Sequence, residues 1–288
     1  MTSARGPGPH RPAGIERWSA GVHAPADDLV AAEEPLQVAI DGRPFAVVMR
    51  TPGHDLELAL GLLFAEGLIE GAGDVAGAAV AASGVPETET GMPVRALAEA
   101  ENLVELRLVR PLPLDGPVGW QRNLVAGSAC GICGAAALDA LRADLATLPP
   151  GPTFSWRTLI AMPPALRAAQ STFELTGGLH AAALFSPDGV LLRLREDVGR
   201  HNAVDKLVGA ALLAGQVPLH GAALMVSGRT SFELAQKAVA AGIPLLAAVS
   251  APSSLAVHVA HTFGLTLVGF LRGDRFNVYA GRERISEA

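Results

Sequence analysis

The chain contains only two cysteines, and both lie in the short run Cys130-Gly131-Ile132-Cys133-Gly134. Small residues precede the pair, and the stretch that follows, residues 135–145, has the composition of a helix. A helix N-terminus offers unpaired N–H groups and the positive end of the helix dipole, which favour an anionic sulfur. Because the thiolate is the reactive form of cysteine, the pattern indicates sulfur chemistry rather than packing.

The pair alone leaves four interpretations open. They are a structural disulfide or packed pair, a zinc site completed by His180 and His201, a dithiol redox site, and a persulfide carrier that accepts a sulfur atom and passes it on. A stable disulfide is uncommon in a cytoplasmic protein, and structural zinc takes four ligands where this chain has one cysteine pair. The C-x-x-C spacing does not separate redox work from sulfur carriage.

Three other segments could bind an anion. Residues 195–202, which include Arg200 and His201, place charge and glycine directly before a predicted helix, as anion-binding loops do. Residues 227–231, which include Arg229, and residues 250–254 each follow a predicted strand, where open α/β sheets hold their ligands. The alternative is that these are ordinary helix starts whose hydroxyls cap the helix. His180 is a lone histidine at the start of a strand, and such histidines are more often structural than catalytic.

A fourth segment comprises Phe270, Leu271, Arg272, Gly273, Asp274 and Arg275. It follows a predicted strand and places two arginines around a Gly-Asp turn beside an aromatic ring. Arginine pairs with phosphate oxygens and phenylalanine stacks on heterocycles, so the segment suits a nucleobase with its phosphates. Taken alone, it also fits a surface hairpin turn.

Composition narrows the function classes. The chain has 288 residues, of which 50% are hydrophobic and 17% charged, with a net charge of −6. This is a globular composition, and it argues against non-specific nucleic-acid binding, which needs a basic face. Residues 238–271 lack Asp, Glu, Lys and Arg, but Gly and Pro divide them into lengths typical of a buried strand and its helix. We therefore expect no membrane span. The N-terminus has no signal-like segment, so we expect a cytoplasmic protein. We also expect no bound metal, since the chain has one cysteine pair.

The elements that position these segments follow from periodicity. We predict strands at residues 36–40, 45–49 and 103–109, a helix from Asp55, and loop or short elements over 71–93. Further along, a hairpin of residues 180–185 and 190–194 precedes alternating helices and strands, which implies parallel pairing. A capping box at residues 230–233 is expected to start one helix. The predicted organisation is a disordered tail over 1–28, a small α+β domain over 29–115, and an α/β domain with the cysteines over 116–288.

Taken together, these segments resemble the formate dehydrogenase accessory sulfurtransferase family, known as FdhD or NarQ. The matching stretches, in family order, are residues 51–69, 130–134, 176–181, 195–206, 227–233 and 269–279. The resemblance covers the chain from about residue 30 to about residue 283, and the coincidence of these stretches is more specific than any one motif.

The resemblance implies a sulfurtransferase that takes persulfide sulfur from a cysteine desulfurase. It delivers the sulfur to the molybdenum of Mo-bis-molybdopterin guanine dinucleotide, which is destined for a formate dehydrogenase. Cys130 is then the persulfide cysteine, Cys133 an assisting thiol, and the segment from Phe270 to Arg275 the cofactor-binding segment. The family also implies a homodimer and a three-layer α/β/α sandwich resembling the cytidine deaminase fold.

Three other functions are alternatives to sulfur transfer. Zinc deaminases need H-x-E and P-C-x-x-C; here Ala182 stands where the Glu would be and no Pro precedes Cys130, so deamination is rejected. A cofactor-binding chaperone without sulfur chemistry and a C-x-x-C redox protein remain as alternatives. The client enzyme, the desulfurase and the roles of His180, Arg200, His201 and Arg229 are left open by the sequence.

Overall fold

The first described element of the computed structural model is a long β-hairpin. The structure describes residues 8–81, 92–97, 102–111, 124–125 and 145–287. Strands β1 (His10–Ser19) and β2 (Val22–Ala31) pair in antiparallel register over ten residue pairs. The turn uses Ala20 and Gly21, both at positive φ, as two-residue hairpins require. The predicted disordered tail over 1–28 is therefore wrong from His10 onward. Pro12 and Gly14 in β1 and Pro25 in β2 interrupt the pattern that would have indicated the hairpin.

The second part of the chain forms a six-stranded mixed sheet in the order β6-β5-β7-β3-β4-β8. Its strands are β3 (Glu34–Ile40), β4 (Arg43–Arg50), β5 (Val75–Ala81), β6 (Val94–Leu97), β7 (Leu103–Leu108) and β8 (Leu124–Val125). Strands β3, β4 and β7 match the sequence prediction. The prediction of loop or short elements over 71–93 did not locate β5, because its run of Ala, Gly and Val lacks the polar alternation that marks a half-exposed strand.

A second six-stranded sheet has the order β11-β10-β12-β13-β14-β15. Its strands are β10 (His180–Phe185), β11 (Leu191–Asp197), β12 (Ala223–Val226), β13 (Leu245–Ala248), β14 (Thr266–Arg272) and β15 (Arg275–Ala280). The three strands β12, β13 and β14 are parallel, as predicted, while β10 is antiparallel to β12 and β15 to β14. A short parallel pair, β9 (Phe154–Ser155) and β16 (Ile285–Ser286), lies outside both large sheets.

Six α-helices are present among the described residues. They are α1 (Asp55–Ala65), α2 (Trp156–Ala169), α3 (Ser171–Thr176), α4 (Arg200–Leu213), α5 (Phe232–Ala240) and α6 (Ser254–Phe263). Alternate residues of the second sheet face two separate cores. Leu224 and Val226 pack with α4 to α6, whereas Ala223 and Met225 pack with α2. Helices thus cover both faces of this sheet, and the predicted mixed α/β class is confirmed.

Two glycines set how closely the parts of the chain approach each other. Helix α1, which lies against the first sheet, packs on α4, which lies against the second. A Cβ on Gly61 of α1 would stand 1.9 Å from the carbonyl oxygen of Asp205, and one on Gly209 of α4 would stand 1.8 Å from that of Glu57. Real side chains do not fit at such distances, so the two helix backbones touch directly. One continuous core of residues from both sheets results.

Several predictions about organisation stay predictions. They are the division into domains over 29–115 and 116–288 and the resemblance to the cytidine deaminase fold. None of the helices in the described ranges has the length and hydropathy needed to cross a membrane.

Candidate functional site

The carboxyl edge of the second sheet collects most of the segments singled out from the sequence. Strands β12, β13 and β14 end there, so residues 227–231, residues 250–254 and the turn between β14 and β15 lie side by side. Strand β10 begins at this edge with His180, whose register partner is Asp197 at the end of β11. The prediction that these loops occupy equivalent strand ends is confirmed.

Backbone hydrogen bonds tie the three loops into one surface. The Thr230 N–H donates to the Ala251 carbonyl at 3.2 Å, and the Ser253 N–H donates to the Thr230 carbonyl at 2.9 Å. The Phe270 N–H in turn donates to the Ser250 carbonyl at 3.2 Å. The edge is therefore a connected platform rather than a set of independent loops.

A buried ion pair anchors one end of this platform. The Lys206 ammonium lies 2.7 Å from the Asp197 carboxylate, with side chains 1% and 0% exposed. The ammonium also donates to the Thr51 carbonyl at 2.8 Å, and the Thr51 N–H donates back to Asp197 at 3.1 Å. Asn202 donates to the same carboxylate at 2.9 Å. Much of the 195–206 motif thus holds the loop after β4 against the second sheet. Asp197 and Lys206 of this motif are paired with each other.

His180 and Arg200 lie on either side of Gly228. The His180 ring faces the Ser227 hydroxyl at 3.4 Å between Nδ1 and Oγ. A Cβ on Gly228 would meet the His180 ring at 3.4 Å and the Arg200 Cδ at 3.6 Å, so glycine leaves room for both side chains. Burial, together with the charge of Arg200, lowers the pKa of His180. This shift favours the neutral form of the His180 ring.

The neighbouring His201 links the starts of two helices. Its Nε2 lies 3.0 Å from the Ser231 hydroxyl and 2.9 Å from the Glu233 carboxylate. This hydrogen bond lowers the pKa of Glu233 against the effect of burial. The predicted capping box is wrong: helix α5 begins at Phe232 with Ser231 as its N-cap, and no side-chain capping hydrogen bond forms. Glu233 is therefore the second residue of the helix rather than the third that a capping box needs, and its carboxylate pairs with His201.

The turn between β14 and β15 presents five of the six predicted cofactor-binding residues to solvent. Phe270 is 39% exposed and adopts a positive φ of 52°, a conformation that costs a non-glycine residue about 1 kcal/mol. Arg272 is held by a 2.6 Å hydrogen bond from its Nε to the Val249 carbonyl. Leu271 is the exception, because its side chain is fully buried in the core beneath the sheet; only its backbone can face a ligand.

Four arginines lie along this edge. Within the described residues, Arg200, Arg229, Arg272 and Arg275 form no salt bridge. The turn lies two strands from Gly228, which is about 10 Å at ordinary strand spacing. Guanidinium groups spread over that distance can meet several phosphate oxygens of one extended anion.

Cys130 and Cys133 lie outside the described residues, as does nearly all of the helix expected over 135–145. Val125 and Leu148, which are described on either side of this segment, have defined contacts. Val125 of β8 pairs in parallel register with Val47 of β4, and the Leu148 N–H donates to the Phe263 carbonyl at the end of α6 at 2.9 Å. Strand β8 therefore runs in the direction of the loop that follows β4.

That loop lines a cavity which the sequence did not predict. The cavity measures about 330 Å³, and its wall includes residues 51–54, Ser171, Thr172, Arg195 and Glu196. Arg195 binds Glu57 through two hydrogen bonds of 2.6 and 2.7 Å, and His54 Nδ1 lies 3.2 Å from the same carboxylate. Burial alone would raise the pKa of Glu57, but its bonds to Arg195 and His54 outweigh that effect and lower it to about 2.

His54 was missed because its environment depends on residues far away in the sequence. It stands in the matching stretch 51–69, but only the fold brings Arg195 to Glu57, across 138 residues. The local sequence showed only the Pro52-Gly53 break before a helix. This break predicts a loop but gives no role to the histidine that follows it. His54 itself has a positive φ of 60°, an unusual conformation that clusters at functional sites.

Comparisons with known proteins agree on one family. The model of the FdhD/NarQ family matches residues 31–286. A protein from Streptomyces avermitilis named sulfur carrier protein FdhD is 49% identical over 262 residues, which cover 90% of this chain and 89% of that protein. A Mycobacterium tuberculosis protein of the same name is 46% identical over 92% of this chain and 96% of its own length.

A solved structure shares the fold. The crystal structure of a protein described as a formate dehydrogenase accessory protein, from Desulfotalea psychrophila, superposes with a TM-score of 0.72. The match covers 96% of this chain and 99% of that one at 24% sequence identity.

Proposed function

Because the chain belongs to the FdhD/NarQ family, we propose that it is a sulfur carrier that serves the maturation of a formate dehydrogenase. The observation that carries this proposal is the match of 90% of the chain to relatives named sulfur carrier proteins, in a chain whose two cysteines form one C-x-x-C pair. Among the four interpretations of that pair, the names of these relatives favour sulfur carriage.

The proposed chemistry is sulfurtransferase chemistry through a persulfide. Cys130 accepts a sulfur atom from a cysteine desulfurase and holds it as a persulfide, and Cys133 assists as the second thiol. The persulfide then supplies sulfur to the molybdenum of Mo-bis-molybdopterin guanine dinucleotide, which is substrate and cargo rather than a resident cofactor. In this proposal the protein acts in the cytoplasm as a homodimer, without nucleic acid or membrane.

The carboxyl edge of the second sheet suits that cargo. The cofactor is a long polyanion with two pyrophosphates, and the edge offers four arginines that form no salt bridge within the described residues. Phe270 is exposed beside Arg272, so its ring can stack on a guanine while the guanidinium meets phosphate. A protein of net charge −6 has to bind such an anion where cations are concentrated locally.

The two rival functions separate in a cell that lacks its own copy of this protein. We expect Cys130→Ala to abolish active formate dehydrogenase, while a cofactor chaperone without sulfur chemistry would retain it. A thiol redox protein would require Cys130 and Cys133 equally and would not bind guanine nucleotide. Activity that survives Cys130→Ala contradicts the proposal.

A further inference from the structure

We propose that the cavity beside α1 is a proton-transfer site in which His54 accepts the proton of a thiol during sulfur transfer, an inference that rests on the proposed function. The cavity is separate from the arginine edge, and its wall brings together the loop after β4, the start of α3 and the end of β11. Its only histidine among the described lining residues is His54.

The surroundings of His54 have the arrangement of a positioned base. The ring is oriented through Nδ1 by Glu57 at 3.2 Å, and Glu57 is itself fixed by two hydrogen bonds from Arg195. A carboxylate on Nδ1 favours the tautomer with Nδ1–H and leaves Nε2 as the proton acceptor. Within the described part of the chain, Nε2 has no partner, and the side chain is 53% exposed.

The Glu57 carboxylate stays charged at physiological pH. The pKa of Glu57 is about 2, so the negative charge beside Nδ1 is present throughout the physiological range and stabilises the imidazolium that forms when Nε2 takes a proton. Lys206 and Glu196, the other charged groups of the wall, are occupied elsewhere. Lys206 is paired with Asp197, and Glu196 accepts the N–H groups of Thr172 and Phe173 at 3.0 and 2.8 Å.

The backbone of this loop fits a functional role. Gly53 and His54 have φ values of 105° and 60°, and nothing lies within 4 Å of a Cβ placed on Gly53. A positive φ at a histidine costs about 1 kcal/mol and is retained only where the surroundings hold it. Here the His54 ring contacts Glu57 and lines the cavity.

A thiol is the substrate that the proposed function assigns to this base. The donor is a hydropersulfide, R–S–SH, and the acceptor is a thiol, P–SH. His54 Nε2 takes the proton of the acceptor, and the thiolate attacks the outer sulfur of the donor. The S–S bond of the donor breaks, its inner sulfur leaves with the electron pair, and it receives the proton from His54. The products are P–S–SH and R–SH, with no net oxidation.

The test compares His54→Asn with His23→Asn in the full chain. Asparagine tolerates positive φ and can still donate to Glu57, but it cannot accept a proton. His23 is a matched control, because it is 50% exposed and its Nδ1 lies 2.7 Å from Glu16, on the N-terminal hairpin. Both variants are first checked for native folding by circular dichroism.

Two rates are measured between pH 6 and pH 10: iodoacetamide alkylation of the chain's own thiols, and sulfur gain from cysteine hydropersulfide by mass spectrometry. We expect His54→Asn to slow sulfur gain at pH 7 by about 100-fold, the low end of general-base effects, and to approach wild type at high pH, where the thiol ionises unaided. Alkylation should slow as well, because the acceptor thiol that His54 deprotonates belongs to the chain that gains sulfur; unchanged alkylation would contradict that role.

Superimposable pH profiles of the wild type, His54→Asn and His23→Asn for both rates would overturn the proposal. Failure of the proposed function has a different signature. In that case even the wild type gains no sulfur at any pH.

Discussion

Lys206 and Asp197 form an ion pair of 2.7 Å in which both side chains are almost completely buried. The pair joins the first turns of α4 to the end of β11, and through Thr51 it also fixes the loop that leads to His54. One buried contact therefore positions both the arginine edge and the cavity.

Removal of one partner of this pair should destabilise the protein strongly. Asp197→Asn or Lys206→Met leaves an uncompensated buried charge or donor, which typically costs about 3–5 kcal/mol. The double variant should recover part of that loss, because neither charge is then left alone. Urea unfolding of the four proteins measures the effect, and single variants within 1 kcal/mol of the wild type would contradict the buried pairing.

Gly61→Ala and Gly209→Ala should each be destabilising. The new methyl group would meet a backbone carbonyl at under 2 Å, so α1 and α4 would have to separate, and overpacking of this kind costs about 1–3 kcal/mol or more. Gly221→Ala is the matched control, since nothing lies within 4 Å of its Cβ position. Equal melting temperatures for all three variants would show that the helices are not in direct contact.

Glu57 should make the protein lose stability in acid. Its folded pKa of about 2 is below the ordinary 4.5, so its contribution is fully present above pH 4.5 and is lost as the pH falls towards 2. The difference corresponds to about 3 kcal/mol. Glu57→Gln should flatten the stability profile in that window. A variant that keeps the wild-type slope between pH 5 and pH 2 would assign the acid sensitivity to other carboxylates.

The arginine edge should bind guanine nucleotides through their phosphates. We expect Arg272→Ala and Arg275→Ala each to weaken GDP binding about tenfold, the effect of one charge-assisted hydrogen bond, with less dependence on salt. Arg43→Ala, at the exposed first residue of β4, is the control and should leave binding unchanged. Calorimetry that shows equal affinity for all the variants would remove this edge as the binding site.

Much of the fold could be predicted from local pattern. Strands β3, β4 and β7 and the alternation of strands and helices from β12 to β14 have periodicities that their own residues reveal. Parallel pairing followed from the lengths of the connections. The hairpin β1–β2 and strand β5 could not be predicted, because their sequences lack clean alternation and their stability comes from register partners.

Part of the site could also be predicted from local sequence pattern. The segment from Phe270 to Arg275 has a local motif, and its place at a strand end followed from the strand order. The burial of Leu271 and the partners of Glu233 and Glu57 depend on contacts across the fold. Sequence patterns assign residue types to loops, but they do not show which distant side chain a carboxylate will choose.

Sulfur loading of Cys130 tests the central claim most directly. The purified chain is incubated with a cysteine desulfurase and cysteine, and intact and peptide masses are measured for the wild type, Cys130→Ala and Cys133→Ala. The account predicts a gain of one sulfur atom on the peptide that contains Cys130, lost in Cys130→Ala and removed by a reductant. Absence of added sulfur from Cys130 in the wild type would contradict it.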